Sequence, residues 1–210
     1  MGKRIAVLVS GGGTNLQALI DAQGRGELGG GQIVAVISSK QGAYALQRAA
    51  NAGITGYVLP RKDFASNRAM TVALVDMLKD LQIDLVVLAG CMVIFTQELA
   101  DAYPNAVMNV HPALIPSFCG EGYYGLRVHE EALRYGVKLT GATVHFVSEE
   151  CDGGPIIAQK SVEIREGDTP EVLQKRVMEE AEWKLLPEAV RLFCDDRITV
   201  RDNKVYIKGE

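Results

Sequence analysis

No two of the four cysteines, Cys91, Cys119, Cys151 and Cys194, form a C-x-x-C pair. That spacing disfavours a zinc site and a disulfide framework and points to a reducing, cytoplasmic compartment. Long apolar runs are also missing. The longest, Leu85 to Phe95, falls short of the roughly 20 residues of a membrane span. The run Ile5–Val9 behind Lys3-Arg4 is too short for a secretory core. There is no basic excess either: 22 Lys and Arg against 26 Asp and Glu leave a net charge of −4. A nucleic-acid binder ordinarily shows the opposite balance. The expected partners are therefore small molecules, with neither nucleic acid nor membrane. Repeats and low-complexity linkers are absent. What remains is 210 residues with 48% hydrophobic and 23% charged residues, an ordinary composition for one globular domain.

The apolar pattern alternates between strands and helices. Arg4–Val9, Ile33–Ser38, Gly56–Leu59, Asp84–Ala89 and Ala106–Val110 read as strands, the longer ones buried on both faces. Between them Thr14 to about Arg25, Ala43–Ala52, Asn67–Leu81 and Thr96–Ala102 read as helices. This order predicts an α/β, Rossmann-like open and mostly parallel sheet with helices on both faces. After His111 the pattern changes. Pro112–Gly125 is a long irregular loop, and Leu126–Tyr135 a helix. Thr143–Val147 and Ile156–Ile164 read as antiparallel strands, and Thr169-Pro170 starts a helix reaching about Phe193. Ile198–Arg201 and Val205–Lys208 bracket Asp202-Asn203 as a hairpin. Gly29-Gly30-Gly31 reads as a solvent-exposed loop. The expected organisation is a single domain, 1–210. Within it, residues 1–110 form a phosphate-binding N-terminal region, residues 111–195 a catalytic C-terminal region that also binds the second ligand, and residues 197–208 a terminal hairpin.

Ser10-Gly11-Gly12-Gly13-Thr14-Asn15-Leu16 joins the first strand to the first helix. A helix N-terminus presents unpaired N–H groups and partial positive charge, and glycines let an anion approach the backbone. Thr14 and Asn15 add side-chain donors. A P-loop would end in Gly-Lys-Ser/Thr, and no lysine stands here. A dinucleotide fingerprint would place a third glycine at Leu16 and an acid at the end of strand two, which instead reads Ser38-Ser39-Lys40. The loop therefore reads as a phosphate site, with an unliganded tight turn as the alternative.

Asn109 and His111 lie two apart near the C-terminal end of a parallel strand, so their side chains share a face. Such strand ends border the ligand crevices of α/β sheets. Histidine titrates near neutrality, and an amide can donate to a developing oxyanion. Cys151-Asp152-Gly153-Gly154-Pro155 offers a carboxylate in a sharp turn. Beside His111 it would favour the imidazolium and raise its pKa. From the residues alone the alternatives stay open, since an aspartate before Gly-Gly is most often a turn former. His129, on a helix, and His145, in mid-strand, read as structural hydrogen-bonders.

Four segments occur in one order: Ser10-Gly-Gly-Gly-Thr-Asn-Leu-Gln17, Leu88-Ala-Gly-Cys-Met92, Asn109-Val-His-Pro-Ala-Leu-Ile-Pro116, and Thr143-Val-His-Phe146 running on to Asp152-Gly-Gly-Pro-Ile156. Together they resemble the folate-dependent formyltransferases, and within them the branch that formylates glycinamide ribonucleotide, over about residues 3–195. The resemblance implies transfer of a formyl group from 10-formyltetrahydrofolate, a co-substrate, with no metal, in purine synthesis. It implies direct attack by the acceptor amine. Asn109 and protonated His111 would stabilise the oxyanion, His111 would act as acid toward the leaving nitrogen, and Asp152 would keep His111 charged. Gly13, Thr14 and Asn15 would hold the acceptor's phosphate. Glu182 would bind its ribose or amide, with Glu179 one turn earlier as a weaker assignment. Arg68 and the segment Met92, Val93, Ile94 and Phe95, with Asn109, would bind the folate. A monomer and a homodimer are both compatible with this. The chain departs from the usual pattern at Val93, where arginine is common, at Ser117 in place of lysine, and at Ala181-Glu182-Trp183 in place of Gln-Glu-His. Its loop Phe118–Gly125 is also longer, with Tyr123 and Tyr124 expected to pack it down rather than touch folate.

The nearest rival is a hydrolase that deformylates the same folate with water. Those relatives normally carry an extra N-terminal domain, and this chain starts at strand one. A relative acting on methionyl-tRNA would carry a C-terminal tRNA-binding domain. An NAD-dependent oxidoreductase lacks its glycine and its acid here, and a non-catalytic binding module would leave the triad accidental.

Overall fold

The computed structural model describes residues 2–209; Met1 and Glu210, the ends of the expected 1–210 domain, lie outside the described residues. Five strands come first: β1 (Arg4–Val9), β2 (Gln32–Ser38), β3 (Thr55–Val58), β4 (Leu85–Leu88) and β5 (Val107–His111). They pair in parallel. β6 (Leu139–Phe146) and β7 (Ile156–Glu163) add antiparallel at one edge, giving the order β3-β2-β1-β4-β5-β6-β7. The helices are α1 (Thr14–Gly24), α2 (Tyr44–Asn51), α3 (Asn67–Asp80), α4 (Gln97–Ala102), α5 (Leu126–Tyr135), α6 (Pro170–Val177) and α7 (Trp183–Cys194). β8 (Ile198–Arg201) and β9 (Lys204–Ile207) form the expected hairpin. Its turn residues Asp202 and Asn203 both have positive φ, as a tight two-residue hairpin requires.

β1 shows why the sheet is covered on both sides. Ile5, Val7 and Val9 enter one apolar cluster with Leu16, Leu19 and Leu186, while Ala6 and Leu8 enter another with Leu74 and Leu78. The alternation of a strand sends its neighbours to opposite faces, and both faces meet helices. Ser66 caps α3, its hydroxyl accepting from the Ala69 N–H at 3.0 Å, and Thr169 caps α6 in the same way with Pro170 in the first turn. Gly31 departs from the exposed loop expected of residues 29–31. It is buried, and a Cβ there would lie 2.5 Å from the Cys194 sulfur.

Two features position the site. Strand order runs outward from β1 through β2 and β3, then restarts on its other side with β4 and β5. Open α/β sheets bind ligands at the strand C-termini where the order reverses. Here that point lies between the loop after β1 and the segment after β4, and the Met92 N–H donates to the Ser10 hydroxyl across it at 2.8 Å. The second feature is in the last long helix. Instead of running straight from Thr169 to Phe193, it passes through a π-helical turn at Met178–Glu182. Such wider turns change which side chains share a face.

Candidate active site

The glycine loop is shaped by contact with α2. Gly13 precedes α1 with φ +71°, and a Cβ there would sit 2.7 Å from that of Ala45. Both the conformation and the close approach demand glycine. The Ala45 N–H donates to the Gly11 carbonyl at 3.1 Å, and Arg48 Nε donates to the Gly12 carbonyl at 2.8 Å. Across the loop stands the π-helical turn. Thr14 Oγ1 lies 4.0 Å from the Met178 sulfur, and Asn15 Nδ2 donates to Glu182 Oε2 at 2.6 Å. Asn15 and Glu182 are both buried. Burial pushes the Glu182 carboxyl above its ordinary value, with Asn15 pulling it back to some extent.

At the end of β5, Asn109 and His111 do project together, and the antiparallel register sets Asn109 opposite His145 of β6. The turn at Cys151–Gly153 brings Asp152 to both histidines. Its Oδ2 is 3.5 Å from His111 Nδ1, and its Oδ1 is 3.5 Å from His145 Nε2. The Gly120 N–H donates to Oδ2 at 2.9 Å, and Asn109 Nδ2 lies 3.5 Å from Oδ1 and 3.2 Å from His145 Nε2. His145 Nδ1 donates to the Phe146 carbonyl at 2.9 Å. Its Nε2 thus faces the amide and the carboxylate, accepting from the first or, in the charged ring, donating to the second.

The surroundings of His111 oppose one another. Its Nε2 is 2.8 Å from the Phe118 carbonyl, which only accepts, so Nε2 carries a proton. Nδ1 faces a carboxylate, which also only accepts. Both neighbours suit the doubly protonated ring. Burial works the other way and wins. It holds the His111 pKa below the ordinary histidine value against the pull of Asp152 and of the Phe118 carbonyl, and His145 adds to the lowering. The expected net rise is therefore corrected: the carboxylate does favour the imidazolium, but desolvation of a nearly buried ring exceeds it. For Asp152, burial alone would raise the carboxyl. The contact with His145, the charge of His111 and the Gly120 N–H outweigh it and hold the group below its ordinary value.

The loop 112–125 supplies some of this environment. Phe118 has φ 49°, a left-handed conformation uncommon for a bulky residue. Its ring packs against Tyr123 and, edge-on, Tyr135, at centroid distances of 6.4 and 6.0 Å. Tyr123 thus packs the loop down as expected, with Arg127 stacked 5.9 Å from its ring, while Tyr124 stands 59% exposed. An open cleft of about 630 Å³ reaches Asp152 from the hairpin side, bounded by Cys119, Cys151, Ile156 and Tyr206.

A buried imidazole paired with a carboxylate at the end of β5, in a sheet whose strand order reverses at a glycine-lined helix start, suits acyl transfer to or from an anionic ligand. The family model for formyl transferases matches residues 3–190. The chain belongs to the formyl transferase family. It is 40% identical to the phosphoribosylglycinamide formyltransferase of Haemophilus influenzae over 208 residues, which is 99% of this chain and 95% of that protein. The crystal structure of glycinamide ribonucleotide transformylase 1 from Symbiobacterium toebii matches with a TM-score of 0.92 at 41% identity, covering 98% of this chain and 94% of that one. A formyltetrahydrofolate deformylase from Pseudomonas syringae is less similar, at 31% identity and a TM-score of 0.86, and this chain covers 66% of it.

In this formyl transferase the remaining expected residues fall into place unevenly. The Asn15 amide donates one of its two N–H hydrogens to Glu182 across the glycine loop. Glu179 does not share the face of Glu182. It is exposed and pairs with Lys175 at 3.8 Å, because the π turn breaks the three-residue spacing. Met92 and Ile94 point outward, 60% and 66% exposed. Val93 and Phe95 instead line a small hollow with Leu8, Ile37, Met70 and Leu74. Arg68 forms an ion pair with Glu98 of α4. His145, expected to be merely structural, touches Asn109 and faces Asp152.

Among the described residues no helix is long and apolar enough to cross a membrane.

Proposed function

We propose that this protein transfers the formyl group of 10-formyltetrahydrofolate to the amine of phosphoribosylglycinamide, in purine biosynthesis. The observation that carries the reading is the convergence of Asn109, His111 and Asp152 at the end of β5, in a sheet whose order reverses beside the Gly11–Gly13 loop. Family membership supplies the reaction class, and the residue roles below are the proposal's own.

The backbone N–H groups at Gly13, Thr14 and Asn15 take the phosphate at the start of α1, and Glu182, steadied by Asn15, meets the ribose or amide. The folate lies against Met92, Val93, Ile94 and Phe95, with Arg68 at its outer end. The amine attacks the formyl carbon, forming a C–N bond and moving the carbonyl electrons onto oxygen. Asn109 Nδ2 and the His111 N–H donate to that oxyanion. As the intermediate collapses, the bond to the folate nitrogen breaks and that nitrogen takes a proton from His111, while the proton given up by the former amine passes to the imidazole and restores its charged form. Burial makes His111 a stronger acid than an ordinary imidazolium, and Asp152 supplies the population that remains charged. A substrate acceptor atom must replace the Phe118 carbonyl at Nε2, so turnover includes release of that hydrogen bond. The division of labour follows: residues 1–110 hold the phosphate and some of the folate, residues 111–195 carry the acid, and the hairpin at 197–208 closes the fold.

The test is release of tetrahydrofolate with both substrates, against a control lacking phosphoribosylglycinamide. Release that depends on the acceptor supports transfer. Equal release in both supports the deformylase alternative, in which water is the nucleophile.

A further inference from the structure

The glycine loop contains no cation, yet one is attached to it from outside. Arg48, on α2, donates through Nε to the Gly12 carbonyl at 2.8 Å and through Nη1 to Gln17 Oε1 at 2.9 Å. Its guanidinium lies 4.9 Å from the ring centre of Tyr44, and its stem passes 3.6 Å from the position a Gly13 Cβ would take. Two hydrogen bonds, a stacking ring and close packing fix a side chain that is ordinarily free to move. In a trans peptide the carbonyl and the next N–H point in opposite directions. Holding the Gly12 carbonyl toward α2 therefore turns the Gly13 N–H the other way, into the loop. The Ala45 N–H does the same for the preceding peptide through the Gly11 carbonyl. The positive charge of Arg48 then sits one peptide unit from the Gly13 N–H.

We infer that Arg48 is a positioning residue of the acceptor's phosphate subsite: it aims the Gly13 N–H and supplies the cation that the loop's own sequence lacks. This rests on the proposed reading of the glycine loop and extends it to a residue outside the loop. Lysine cannot replace it fully, because one ammonium does not span two acceptors in a fixed fork.

The test compares Arg48→Met and Arg48→Lys with the unaltered protein, reading KM for each substrate, kcat, and inhibition by inorganic phosphate competing with phosphoribosylglycinamide. Loss of a charge-assisted bond predicts that Arg48→Met raises KM for phosphoribosylglycinamide, and Ki for phosphate, by about tenfold or more. KM for the folate and kcat change by less than about threefold, and Arg48→Lys falls between. A purely structural role would move both KM values together, or kcat, and leave the ratio of phosphate Ki to acceptor KM without a common shift; that outcome overturns the inference, as does an unchanged KM. Should the unaltered protein bind phosphate at the loop but form no formylated ribonucleotide, the reading of the reaction fails while the role of Arg48 is still decided by phosphate affinity.

Discussion

Replacing Asp152 by asparagine keeps the shape of the turn and removes one charge. The carboxylate lies 3.5 Å from His111 Nδ1, and the two side chains are only 9% and 5% exposed, so solvent does little to screen them. Unit charges at that distance attract by about 5 kcal/mol at an effective dielectric of about 20. The asparagine dipole returns some of this, and Gly120 N–H keeps an acceptor in the amide oxygen. A net loss of about 2–4 kcal/mol in the charged state of the ring corresponds to a fall in kcat of roughly 30- to 1,000-fold. The direction with pH follows from the balance at His111. Burial already lowers its pKa, and without the carboxylate only the Phe118 carbonyl still opposes it. The alkaline limb of the kcat profile therefore moves toward acid in Asp152→Asn, and some of the lost rate returns as pH falls. The assay is steady-state formyl transfer from about pH 5.5 to about pH 9. A variant with kcat within about threefold of the parent across that range, or with its alkaline limb unmoved, refutes the argument.

His129 is fully buried with neither ring nitrogen partnered, and burial together with the charge of His111 lowers its pKa to about 4. An unfolded histidine near 6.5 takes its proton first, so stability is full above about pH 6.5 and declines by on the order of 3 kcal/mol as pH falls to about 4. Urea unfolding of His129→Leu should lack that share of the acid slope; an unchanged slope would count against it. Glu182→Gln should raise KM for phosphoribosylglycinamide by about tenfold with little change for folate, while Glu179→Gln, exposed and paired with Lys175, should stay within about twofold. Equal effects of the two would contradict the phase change at the π turn. Gly13→Ala brings a Cβ to 2.7 Å from Ala45 at φ +71° and should cost about 2–4 kcal/mol of stability from conformation and overpacking. Calorimetry showing an unchanged Tm would disprove that.

The features of this site that could be read from the sequence are those fixed by local rules. Asn109 and His111 share a face because a strand has period two. The glycine loop is visible because strand, glycines and helix follow one another, and Asp202-Asn203 because two positive φ values suit those residues. What escaped depends on distant pairing or on the backbone. His145 joins the site only through the antiparallel register that sets it opposite Asn109, and a buried histidine in mid-strand looks the same with or without that partner. Glu179 and Glu182 separate because of a π turn, which an apolar periodicity of 3.6 conceals. The Phe118 carbonyl caps His111 as a backbone group, so no side-chain pattern could announce it. Burial itself set the net direction of the His111 pKa, and burial is decided by how the 112–125 loop lies down.

The most direct measurement follows the carbon itself. With 13C in the formyl group of 10-formyltetrahydrofolate, NMR of a completed reaction should place the label on the glycinamide nitrogen of the ribonucleotide, with His111→Ala slowing its arrival by about a hundredfold or more. Label accumulating as free formate while the ribonucleotide stays unlabelled would contradict the account.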